Sequence, residues 1–442
     1  MLQIYSTKDS PRLRYIVKIL FDTILGIDYG IVIVPKDFDA RNINSHDKVL
    51  LYGLSSSAFF SVPSEHLLFE EIITQQDPLI QTVGIPKLSF GNRGFSENSI
   101  EFDVFSAAFY LITQYEYYQF PSFDSHDRHD EKSSTLHKNG LHRLPVVDMY
   151  ASWLWELLKT KYPDIKRKNQ AFDYKITFDI DAPYLYRHKG FLLSLASLLK
   201  NIVKLKFQSV IQQINTLASS QDAYDVYDYI LDKVKSDKLL FFFLINRKSQ
   251  RDGRHTYKNK AYRNLIKKIS DAGIEVGIHP SYTSFMDADL IKTEKSELEA
   301  ITGKPVISSR MHFLKFRLPD TFNYLAQAGI MDDYTQCPIH DIGFKSFISR
   351  PYNWFDLERN EETSLIMHPT MVMDRSLQQY MQLTPKEALF EVKKMIDLTF
   401  DYNGVFTILF HNNTLSETSE WKGWKMVFEN TMMYLSDKKA TN

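Results

Sequence analysis

The chain has 442 residues, 44% hydrophobic and 14% aromatic, enough to bury a sizeable core and, by length, to form two or three domains. Its 53 basic and 54 acidic residues leave a formal net charge of −1, so no field draws it to nucleic acid or to an anionic membrane. The lone Cys337 excludes an internal disulfide framework, which fits a reducing compartment.

The N-terminus MLQIYSTKDSPRLRY lacks the basic, apolar and small-residue order of a signal peptide. The longest apolar runs, such as KLLFFFLI at 238–245, fall far short of the roughly 18–20 residues that span a bilayer. A cytoplasmic protein with no integral membrane segment is therefore expected.

From the start of the chain, residues 1–165 read as an α+β module. RYIVKILFDTILG at 14–26 has helical periodicity, IVIVP at 31–35 and VLLYG at 49–53 read as strands, and EFDVFSAAFYLITQYEYY reads as one aromatic-rich helix. The polar stretch 120–145 has no period and reads as a long loop, whose His126, His129, His137 and His142 are expected to be solvated rather than metal-bound. A helix at 147–162 then leads into the charged linker PDIKRKNQ, where the boundary is placed.

Residues 170–442 have a different rhythm, short apolar strands alternating with amphipathic helices. Strands are predicted at 174–181, 238–245, 273–280, 305–313, 329–334 and 405–412, and helices at KAYRNLIKKISDAG and LIKTEKSELEAITG, the latter closed by Gly303. That alternation predicts an α/β fold with a parallel sheet or barrel. FLLSLASLLKNIVKLKF at 191–207 has a basic-flanked apolar face and reads as a helix packed on its own domain, with a membrane surface as the alternative.

Polar residues fall where the strands end: Asp179 and Asp181, then His279, then Arg310 and His312, then Asp332 and Asp333, then His411. In a parallel barrel these ends converge on one face, where catalysis is found. Side chains two apart on a strand share a face, so Asp179 and Asp181 point the same way, and two like charges so placed call for a cation or a shared proton. Read singly, the Asp pair also suits a turn cap, His279 and His411 suit structural turns, and Asp332 and Asp333 suit a strand terminus.

The set TFDID, GIHPSYTS, SRMH and ILFHN resembles, in order and spacing, the motifs of the polysaccharide deacetylase family of carbohydrate esterases. The whole chain, with DVFSAAFYLITQYEYY, DAYDVYDYI and WKGW, resembles a two-domain subgroup from bacterial surface-polysaccharide gene clusters. The resemblance implies a distorted (β/α)7 deacetylase-like barrel at 170–442, preceded by an α+β accessory domain at 1–165. It implies hydrolysis of an N-acetyl or O-acetyl group on a sugar, with a divalent metal, Zn²⁺ first, as cofactor and carbohydrate as partner.

Residue by residue, the resemblance makes Asp179 the base, Asp181 and His279 metal ligands, Arg310 the residue that orients the base, and His411 the general acid. The family's second metal histidine falls at Thr283, a poor zinc ligand, so His312 is expected to complete the site, with His255 behind it. Asn412 replaces a common aspartate after the acid, and the arginine motif lacks its proline pair. Trp421, Trp424 and Tyr282 are assigned to substrate binding, burial of the tryptophans being the alternative. Two rival readings are a deacetylase-like fold that binds glycan without hydrolysis, and an Asp-x-Asp sugar-nucleotide glycosyltransferase, which gives His279 and His411 no task. No feature of the sequence sets an oligomeric state.

Overall fold

The computed structural model describes residues 1–44, 46–90, 100–188 and 221–441, with scattered positions between 202 and 216. Most of the apolar segment 191–207 lies outside the described residues. The chain is mixed α/β and divides into two compact units, one of 1–172, 343–369 and 399–405, the other of 173–342, 370–398 and 406–442. The expected break at 165–170 lies close to the change at Phe172, but 343–369 and 399–405, read from sequence as second-domain chain, join the first unit.

In the first unit, strands β1 (Leu2–Ser6), β2 (Tyr29–Ile33), β3 (Val49–Tyr52) and β4 (Phe60–Val62) form a parallel sheet in the order β2-β1-β3-β4. Helix α1 (Pro11–Val17) starts where the Ser10 hydroxyl accepts from the Leu13 N–H, with proline at its first position, and runs on into a π-helix at Lys18–Ile24. Helix α2 (Val104–Ile112) is buried on every side. The aromatic run expected as one helix breaks at Gln114, which is left-handed at φ 54° and donates from its amide to the Lys345 carbonyl oxygen, and a second short helix follows at Tyr115–Gln119.

Helix α3 (Val146–Lys161) carries the buried Asp148. Its carboxylate accepts from the Ser349 N–H and hydroxyl and pairs with Arg350, tying in the segment that continues as a hairpin of Tyr352–Asp356 and Glu361–Met367. The loop at 120–145 folds into short helical turns, where the His129 ring stacks on Tyr117 and His137 on His142.

The second unit is built on β5 (Asp173–Ile180), β6 (Leu239–Phe243), β7 (Glu275–Ile278), β8 (Ser308–Ser309), β9 (Asp332–Asp333), β10 (Val372–Met373) and β11 (Val405–His411). Their order is β9-β8-β7-β6-β5-β11-β10; β5 through β9 pair in parallel with one another in turn, and β10 pairs in parallel with β11. The end of β5 and the whole of β6 are buried on both faces, as parallel strands covered by helices should be.

Helix α4 (Lys260–Asp271) buries Tyr262, Leu265, Ile266 and Ile269, one stripe of a 3.6-residue period, and is capped by the Asn259 side chain. Helix α5 (Ala288–Thr302) ends at Gly303, φ 68°, a left-handed position that glycine adopts without a Cβ clash.

Register puts Ile180, Phe243, Ile278, Ser309 and Asp333 level across the sheet. The next residues along the chain include Asp181, His279 and Arg310, so one edge of the sheet gathers them. The strand expected over 305–313 is only Ser308–Ser309; His312 instead opens a tight turn, His312–Leu314, in which Phe313 has φ 63°. Among the described residues no helix is long and apolar enough to cross a membrane.

Candidate metal centre

Three side chains converge beyond the ends of β5, β7 and β8. Asp181 Oδ1 lies 3.3 Å from His279 Nε2 and 3.6 Å from His312 Nε2, and the donor atoms all fall within 4.8 Å of one another. Donors about 2.0–2.1 Å from a tetrahedral Zn²⁺ stand roughly 3.3–3.4 Å apart, so the set fits such an ion with little movement. Asp181 Oδ1 is shut off from solvent and has no hydrogen-bond partner, a cost that a cation would remove.

Both imidazoles are aimed by their other nitrogen. His279 Nδ1 faces the Arg310 carbonyl oxygen at 2.5 Å, and His312 Nδ1 faces Asp252 Oδ1 at 3.0 Å. With Nδ1–H donating in each case, the Nε2 lone pair is left for the centre. Asp252 is held in turn by the N–H groups of Lys248, Ser249 and Tyr282. Burial disfavours the His312 imidazolium, yet the carboxylates of Asp181 and Asp252 outweigh it and push the pKa up to about 9. Burial likewise raises the Asp181 carboxyl, but the imidazoles of His312, His279 and His411 hold it well below its ordinary value.

Asp179 borders this set, its Oδ2 3.6 Å from His279 Nε2. Its Oδ1 accepts from Arg310 at 2.9 Å. The Arg310 guanidinium is fully buried and spends its other donors on Tyr334 O, Thr177 Oγ1 and Thr370 Oγ1, so it can hold the carboxylate in only one pose. Opposite, His411 Nε2 is 3.7 Å from Asp181 Oδ2, and its Nδ1 faces the buried Asp374 at 2.8 Å. Asp374 also accepts from the His411 N–H and the Thr414 hydroxyl. Burial raises the Asp374 carboxyl, but its interactions with His411, electrostatic and through the hydrogen bond, more than offset this and leave it below its ordinary value.

The structure thus brings together Asp179, Asp181, His279, Arg310, His312 and His411. Thr283 is exposed. His255 turns its Nε2 to the Arg187 carbonyl oxygen, 3.1 Å away. Asp333 is buried under bonds from Ser309 and Thr335.

Trp421 and Trp424 are 1% and 2% exposed and pack edge to face at 5.5 Å, so neither offers a ring to a sugar; their assignment to substrate binding is corrected to core packing. Tyr282 is half-buried beside His312's neighbour Phe313.

Two carboxylates escaped the sequence reading. Asp374 follows the buried pair Val372–Met373 and repeats the pattern of an acid just past a strand, a signal that was available. Asp252 lies in a loop, and nothing local marks it. Asn412, where an aspartate was expected, donates to Ala182 O and Tyr224 O, and the carboxylate facing His411 comes from Asp374 instead.

Residues 2–163 match the profile of a family described only as one of unknown function, DUF7033. Among curated proteins none matches the chain. Solved structures similar to it include a candidate polysaccharide deacetylase from Mycobacterium smegmatis, at 16% identity and TM-score 0.40, covering 63% of this chain and 87% of that one. A CE4 family pseudoenzyme from Bacillus anthracis, BA3943, is 15% identical at TM-score 0.30, covering 61% of this chain and 62% of its own. The carbohydrate deacetylase Agd3 covers 99% of this chain and 87% of its own at 7% identity and TM-score 0.34. At such values likeness alone assigns no activity.

Proposed function

We propose that the chain is a metal-dependent hydrolase that removes an N-acetyl or O-acetyl group from a sugar of a surface polysaccharide or lipopolysaccharide precursor. In this reading the second unit is the distorted (β/α)7 barrel and the first an accessory domain. The observation that carries the chemistry is the convergence of Asp181, His279 and His312 between a buried carboxylate–arginine pair and a buried carboxylate–histidine pair. The substrate class follows from the resemblance of the motifs around these residues.

Held by Asp181, His279 and His312, a Zn²⁺ would supply a water of pKa about 7 and would polarise the acyl oxygen. Asp179, held at Oδ1 by Arg310, takes the proton of the attacking water at Oδ2. His411 donates the proton at Nε2 to the departing amine or alcohol as the carbonyl carbon's bond to it breaks. Asp374 at Nδ1 stabilises the imidazolium that this requires. A base and an acid in separate buried pockets let both proton transfers run at one pH.

The test is metal content by elemental analysis together with acetate release from N-acetylated oligosaccharides. Asp179→Asn is expected to keep the metal while lowering kcat by about 10²–10⁴. Loss of metal and turnover together overturns the role given to Asp179. Metal bound by the wild-type chain with no acyl group released from any sugar favours a glycan-binding protein without hydrolysis.

A further inference from the structure

Resting on that reading, we infer that the sugar taken by this site is acidic, its anionic group bound by Arg251 above a ring platform of Tyr282 and Phe313. The two rings meet edge to face at 5.1 Å, and the Phe313 ring lies 4.8 Å from that of His312. The platform is tied to the centre through one carboxylate, because Asp252 Oδ1 accepts from the Tyr282 N–H as well as facing His312 Nδ1.

The turn that presents Phe313 is costly. Phe313 and Leu314 are consecutive non-glycine residues with φ 63° and 54°, a conformation that persists only where surroundings impose it. It leaves Phe313 half-buried beside a proposed metal ligand rather than in the core.

Over these rings sits the guanidinium of Arg251, 5.5 Å from the Tyr282 ring centre and 5.9 Å from that of Phe313, and the Lys315 ammonium lies 4.5 Å from the Tyr282 ring centre. Arg251 is exposed, and among the described residues it has no carboxylate within ion-pair distance. A planar guanidinium held over half-buried rings beside a proposed metal ligand, with no carboxylate to pair it, is the chemistry that recognises a sugar bearing a carboxylate or a phosphate.

The experiment is a binding titration of the zinc-loaded Asp179→Asn chain with a neutral N-acetylglucosamine tetrasaccharide, a tetrasaccharide alternating N-acetylglucosamine with glucuronate, and N-acetylglucosamine 6-phosphate against N-acetylglucosamine. About tenfold tighter binding of an anionic form over its neutral counterpart is expected, the advantage shrinking with salt and disappearing in Arg251→Gln. Which anionic form gains identifies the group. Equal affinity for acidic and neutral forms, binding of none, or an advantage that survives Arg251→Gln overturns the proposal. Acetate release by the wild-type chain is scored separately, so either idea can fail alone.

Discussion

The His312 imidazole is where the proposed centre is most sensitive, because two carboxylates would compete with a metal for its state. Asp252 fixes the ring and, with Asp181, holds a proton on it up to about pH 9. A metal must displace that proton, so affinity for zinc is expected to rise with pH between about 6.5 and 9, as read by competition with a chromophoric chelator.

The metal-free protein behaves in the opposite sense. A raised imidazole contributes stability that is complete below about 6.5 and lost as pH climbs through about 9, so urea midpoints without metal should fall over that window. Asp252→Asn is expected to weaken zinc binding about 10–100-fold, with His312→Ala at least as damaging. Unchanged affinity in Asp252→Asn would remove Asp252 from the site. At this scale Asp179, Asp181, His279, Arg310 and His411 were legible because each stands at or just past a strand end, where the sequence pattern itself singles out polar residues.

Elements explain how a loop residue with no local signature reaches the centre. The chain after β6 passes so close to β5's end that a Cβ on Gly253 would overlap the Asp181 carbonyl oxygen. Gly253→Ala is therefore expected to push the loop outward and carry Asp252 away from His312. The checks are a loss of zinc affinity of at least about tenfold and little change in the far-ultraviolet circular dichroism spectrum. The same loop–strand contact is why Asp252 escaped the sequence reading: its partner lies 60 residues away, and no periodicity encodes a meeting of two loops.

His312 shows the converse. Its place after Ser308–Ser309 was legible, but a strand was expected where a turn with left-handed Phe313 and Leu314 swings the ring toward Asp181. One helix end was easier, since Gly303 relieves the backbone within its own turn, whereas the caps Asn259 and Asp287 were not read from the sequence.

At the scale of the whole molecule, each unit is held by buried charge as well as by apolar packing. In the first unit Asp148 is fully buried against Ser349 and Arg350, and Lys345 pairs with Glu131. Removing one partner of such a pair strands the other without water. Asp148→Ala is thus expected to destabilise that unit by about 3–5 kcal/mol, measured by urea unfolding followed through tryptophan fluorescence. A shift under about 1 kcal/mol would show the pair to be superficial.

What the sequence alone determined is local: helix starts and stops, the apolar runs of the parallel strands, the change of rhythm near residue 170, and the acids and imidazoles past the strand ends. Each depends on neighbours within a few residues, so the chain carries the information in its spacing. Tertiary structure decided the rest: that 343–369 joins the first unit, that Asp374 rather than position 412 faces His411, that Asp252 aims His312, and that Trp421 and Trp424 are core. Those outcomes turn on which distant groups become neighbours once apolar surface is buried, and in a folded interior an unpaired charge or a left-handed turn survives only when segments far apart in the chain arrive to support it.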